Sequence, residues 1–137
     1  MIRPSVARFL VVCLTMPSLV TGAWAAFWPA AFYGDFPGGG REWVGADGPF
    51  NEHMTRDFGA ATVAVAVVGL VALWRPTREL LIALALGHLA LGCVHLTYHL
   101  RTHHILDPID ATLGVGFIVA GIVLAGLLLW VAPRISA

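Results

Sequence analysis

Residues 78–110, RELLIALALGHLALGCVHLTYHLRTHHILDPID, place a long apolar run directly before a short polar turn, and their reading decides the fold. At about 1.5 Å rise per residue, Leu80 to Leu100 is long enough to cross about 30 Å of hydrocarbon as a helix. His88 to His95 is an i,i+7 step and His95 to His99 an i,i+4 step, so all three imidazoles share one helical face. Gly92 lies on that face and leaves room for a second helix. Ionisable groups inside a spanning helix are costly and face a bundle interior or a wet cavity. The stretch therefore predicts a membrane helix that carries a site.

The rest of the chain agrees. Its 137 residues are 58% hydrophobic and only 12% charged, with a mean hydropathy of +0.82. That is an integral membrane composition with room for one domain, residues 1–137. Zero net charge gives no footing for a nucleic-acid partner; the bilayer is the expected one. Four spans are expected, at about 9–32, 57–74, 80–100 and 111–131, with outer loops at 33–56 and 101–110. The fold class is all-α, a four-helix transmembrane bundle.

The first span follows a basic head (Arg3, Arg8) and contains Pro17, which predicts a kink. Trp24 and Trp28 are placed in the aromatic belt at its outer end. A cleavable signal peptide ending in Ala23-Trp24-Ala25 is the rival reading, but the apolar run continues past Ala25. The 33–56 loop, with FPGGG and DGP turns, is long enough to fold as a cap. In the second span Gly59, Ala60, Ala64 and Gly69 are small residues that let helices approach. In the fourth, Gly114 and Gly121 share a face and Gly121-xxx-Ala125 forms a further small pair. Those small faces serve internal packing or a homo-oligomer equally well.

Charge sets the orientation. Arg3, Arg8, Arg75, Arg78 and Arg134 lie on one side with Glu79 alone. The other side carries Arg41, Arg56 and Arg101 with seven of the eight acids. The positive-inside rule puts both termini in the cytoplasm and the polar loops outside the plasma (inner) membrane. Cys13 and Cys93 differ in depth by roughly 13 Å at about 1.5 Å per residue, beyond the ~7 Å Cα limit of a disulfide. Both read as free, buried packing thiols.

Five of the six histidines fall in the outer half. His95 and His99, with His53, Glu52 and Asp57 from the start of span two and Asp107 and Asp110 from span four, form a candidate site for zinc, copper or iron, to which His103 is a further candidate ligand. The competing reading makes Asp107-Pro108-Ile109-Asp110 a helix start, with Asp at the N-cap, Pro at N1 and Asp at N3. Asn51-Glu52-His53 and Arg56-Asp57 read equally as capping and an ion pair. His88, near mid-membrane, is a candidate cofactor contact, or a neutral imidazole bonded to Thr15, Thr62 or a carbonyl. Met16 at similar depth makes a His/Met haem conceivable, though so small a chain needs its interior for packing. Tyr98 reads as an interface anchor. FPGGG lacks the helix and lysine of a phosphate loop, and no Gly-x-Ser-x-Gly or Cys-x-x-Cys motif is present.

FYGDFPGGGREWVGADGPFNEHMTRDFGA and HLTYHLRTHHILDPID resemble a group of small four-span, functionally uncharacterised membrane proteins from actinobacteria. The likeness covers about residues 30–112 and centres on GPFNEH with RD-x-G and on H-x-x-YH with D-x-x-D. In that group a proline often precedes the histidine that opens the latter motif; Val94 stands in its place here. The four-span plan is also similar to the DoxX-like superfamily. Neither resemblance implies a reaction. Three functions are expected on these grounds: an outer-leaflet transition-metal site, a structural or accessory subunit of a membrane complex, or an enzyme or carrier for a lipid-like or quinone-like molecule.

Overall fold

A computed structural model describes residues 4–102 and 104–134; Arg3 and His103 lie outside them. Four of its helices are long and apolar enough to cross a membrane, as the sequence predicts. They are α1 (Pro4–Phe27), α3 (Glu52–Trp74), α4 (Arg78–Thr102) and α5 (Pro108–Val131), with a short α2 (Pro29–Asp35) after the first. At most 33% of any span is buried by the protein itself. The remaining apolar surface, including Phe9, Val20, Trp74, Val94 and Phe117, faces outward on every helix. Helices apolar all round belong in a bilayer; this is a multi-pass membrane protein.

Several boundaries differ from the expectation. The first span stops at Phe27 rather than Phe32, and α2 begins at Pro29. A residue before proline is pushed out of the helical region, and Trp28 accordingly sits at φ −130° and ψ 61°. Pro17 is carried inside a continuous α1. The second span starts five residues early, at Glu52, because Asn51 caps it by accepting the Met54 N–H at 3.1 Å. Asp107 caps α5 by accepting from the N–H groups of Ile109 and Asp110, with Pro108 at the first helical position, as the helix-start reading predicts.

The four spans run up, down, up and down. α1 lies most extensively on α3 and α4 on α5, with α3–α4 and α1–α5 closing the square. Gly59 and Gly69 set the α1–α3 spacing: a Cβ at Gly59 would come within 2.3 Å of the Ala26 nitrogen, and one at Gly69 within 2.0 Å of Thr15 Oγ1. The contact face is Gly59, Thr62, Ala66 and Gly69, all buried, whereas Ala60 and Ala64 are exposed. Gly92 admits α5, since a Cβ there would meet Ile122 at 2.8 Å. Gly121 borders open space and takes no part in internal packing. Cys93 is exposed rather than buried, and both cysteines are free.

Residues 28–51 fold as the expected cap. After α2, β1 (Pro37–Gly38) pairs antiparallel with β2 (Arg41–Glu42) through a glycine turn. Gly38, Gly39 and Gly40 hold φ of +103°, +68° and +77°, which side-chain-bearing residues rarely adopt. A 3-10 turn, Gly45–Asp47, returns the chain to α3.

Among the described residues the main buried hydrophobic cluster lies in one half. Ala7, Leu10, Val11 and Leu14 of α1 meet Leu81, Leu84 and Ala85 of α4 and Ala125, Leu128 and Val131 of α5, all buried. These positions belong to the half that carries the chain termini. At its rim Arg75 lies 4.9 Å over the Trp74 ring and Arg134 4.5 Å over Trp130, so an aromatic–arginine belt forms there.

Candidate functional site

The other half of the bundle, beneath the cap, encloses a cavity of about 310 Å³. Its walls are largely aromatic. Trp24 of α1 meets Phe32 and Phe36 edge-on at 5.8 and 6.1 Å, Phe32 stacks on Phe58 of α3 at 6.0 Å, and Phe36 meets Trp43 at 6.1 Å. Trp43 then reaches Phe117 of α5 at 6.5 Å. Such edge-to-face and stacked pairs hold rings in place beyond what their buried area contributes. Trp24 thus serves the cap interior, while Trp28 is exposed as a belt residue would be. A Cβ built on Gly114 would be 3.8 Å from the Trp43 ring, so the indole lies over this glycine.

The polar part of the lining is Thr21, Asp47, His95, Tyr98 and His99. The His95 and His99 rings meet edge-on at 4.6 Å, one helical turn apart, and Tyr98 meets His99 at 5.8 Å. The Tyr98 hydroxyl donates to Asp47 Oδ1 at 2.5 Å. Tyr98 is thus the tie between α4 and the cap. Phe58, Tyr98 and Phe117 line the cavity yet are 41%, 44% and 69% exposed, so the cavity communicates with the flank of the bundle.

The predicted ligand set is dispersed. His53 pairs with Asp57 at 3.3 Å and Glu52 with Arg56 at 2.9 Å, along the exposed side of α3. The arginine partner is therefore Glu52, not Asp57; Arg56 also donates to the Ala26 carbonyl at 2.6 Å, fastening α3 to α1. Asp107 is the α5 cap, and Asp110 accepts from Arg41 Nε at 2.6 Å. Of the proposed ligands among the described residues, only His95 and His99 share the cavity. Among the described residues no three His, Cys, Asp or Glu come together as a metal site, so the metal expectation finds no support there; His103 lies outside them.

His88 occupies a separate place below the cavity. Its Nε2 is 3.2 Å from Ser18 Oγ and its Nδ1 is 3.0 Å from the Leu84 carbonyl. The Ser18 hydroxyl also donates to the Leu14 carbonyl at 2.9 Å. Of the expected partners a backbone carbonyl is present, that of Leu84 on the same helix; Thr62 instead donates to Phe58 O, and Thr15 Oγ1 lies against Gly69 with no hydrogen-bond partner. Met16 is exposed, and Ser18 holds the position facing His88.

Trp43 and Asp47 line the cavity without standing out in the sequence, and Arg41 holds the cap beside them. Asp47-Gly48-Pro49 reads as a turn and also carries the acid that, among the described residues, reaches the cavity. Comparisons with family models, with curated proteins and with solved structures return no match.

Proposed function

We propose that this chain binds a lipid-like or quinone-like molecule, drawn from the surrounding bilayer, in the cavity beneath its cap. The observation that carries this reading is the division of the bundle into a close-packed half and a hollow, aromatic half. A volume of about 310 Å³ stands at the lower end of small-molecule sites, which are mostly apolar with a few placed polar groups. It suits a ring or head portion, with any longer tail left among the lipids. Exposure of Phe58 and Phe117 at the edge of the lining supports entry from the side.

We further propose that both termini are cytoplasmic and the cap extracytoplasmic, in the plasma membrane. The arginine bias and the Arg75–Trp74 and Arg134–Trp130 contacts at the terminal end support it. The quoted motifs are the ground for setting the chain beside the small four-span actinobacterial group and, more distantly, the DoxX-like superfamily. An accessory-subunit role is favoured by one observation, that Asp110 and Asp47 tie the cap to the bundle.

The test is mass spectrometry of small molecules extracted from protein purified in detergent, beside a Gly114→Leu variant whose side chain enters the cavity. A stoichiometric amphiphile in the parent, lost in a variant of unchanged melting temperature, is the expected result. Equal content in both samples, or none in the parent and no binding of added naphthoquinone, overturns the reading in favour of the accessory subunit. Elemental analysis of the same samples reads the metal alternative directly.

A further inference from the structure

The ionic make-up of the cavity is one-sided. The chain contains eight arginines and no lysine, and none of the described arginines lines the cavity. Arg41 is held by Asp110 and Arg56 by Glu52. The single formally charged side chain in the lining is Asp47. The same lining carries Phe32, Phe36, Trp43, Phe58, Tyr98 and Phe117. Each aromatic ring presents a negative face, and a ring of such faces with a carboxylate is how proteins recognise quaternary ammonium groups. Tyr98 occupies Asp47 Oδ1 and leaves the second oxygen for a ligand.

We infer that the ligand of this cavity is a hydrophobic organic cation, a ring or apolar body bearing a quaternary or protonated amine. This inference rests on the cavity-binding reading and narrows it. A fatty acid or phosphate headgroup would bring a second negative charge beside Asp47, which stands at the exposed edge of the lining, with no arginine to balance it, and like charges repel. A neutral quinone finds hydrogen bonds at His95 and His99 but gains nothing from Asp47. The cation alone uses the aromatic faces and the carboxylate together.

The experiment compares three probes by isothermal titration of the full chain in dodecyl maltoside. They are benzyltrimethylammonium, its uncharged carbon isostere neopentylbenzene, and the anion phenylmethanesulfonate. The expected order is the cation at least ten-fold tighter than the isostere, and no binding of the anion. Asp47→Asn keeps an oxygen for the Tyr98 hydroxyl and so preserves the cap tie; it should lower cation affinity ten-fold or more and leave the isostere unchanged. Isostere or anion binding as tight as the cation's, or an Asp47→Asn variant that binds the cation normally, overturns the charge inference and leaves the cavity reading standing. No binding of any probe by the parent chain overturns both.

Discussion

Gly69 determines how closely α1 and α3 run, because Thr15 fills the space its Cβ would need. Gly69→Ala should cost about 1–3 kcal/mol through overpacking, measured by unfolding in mixed micelles. Thr15→Ala, which removes a buried hydroxyl that has no partner, should recover part of that loss in the double variant, a coupling expected only of residues in contact. Ser18→Ala tests the mid-bundle pair with His88. Interhelical hydrogen bonds in membranes average about 0.6 kcal/mol, so a small loss of stability with unchanged ligand binding is expected. A change in binding would bring His88 into the site. That Gly92 faces a helix was legible from its place on the histidine face. That Thr15 rather than Ser18 would lose its partner was not, since both are hydroxyls on one helix and only the crossing geometry separates them.

The cap is the element that makes the site, and it is held by few ties. Arg41 to Asp110 and Tyr98 to Asp47 fasten it to α5 and α4, while Tyr33 donates to the Gly45 carbonyl at 3.2 Å from within it. Arg41 is 43% exposed at its side chain, and such pairs contribute about 0–1 kcal/mol. Arg41→Ala should therefore leave the melting temperature nearly unchanged but raise the rate of proteolysis within residues 36–50. Equal proteolysis would show that the aromatic contacts alone hold the cap. The four spans were legible because twenty apolar residues have few other solutions, and the α5 start because Asp-Pro-Ile-Asp satisfies every N-terminal preference at once. The site was legible only in part. His95 and His99 follow from helical period, but Asp47 reaches them through the glycine turn and the 3-10 turn, whose path no periodicity encodes. Glu52, His53 and Asp57 misled because their neighbours one turn away, not distant helices, satisfy them.

At the scale of the molecule, the buried hydrophobic core and the proposed binding cavity occupy opposite halves. Leu84→Ala, in the packed half, should cost about 2–5 kcal/mol and reduce binding only through unfolding. Gly114→Leu, in the hollow half, should abolish binding with little change in stability. The orientation is tested by labelling engineered cysteines at Ala46 and Thr77, both exposed, in a Cys13→Ser/Cys93→Ser background in intact cells. A membrane-impermeant maleimide should reach the first and not the second; the reverse pattern would place the cap in the cytoplasm.

This separation also has an evolutionary consequence. Most substitutions destabilise, and selection removes those that drop a protein below its folding threshold. On the proposed reading, most of the residues that would choose the guest stand apart from the main hydrophobic cluster. The aromatic shell can be rewritten one ring at a time while Leu81, Leu84 and Leu128 keep the helices together. A lineage built on this plan is free to change what it holds without first re-earning its ability to fold.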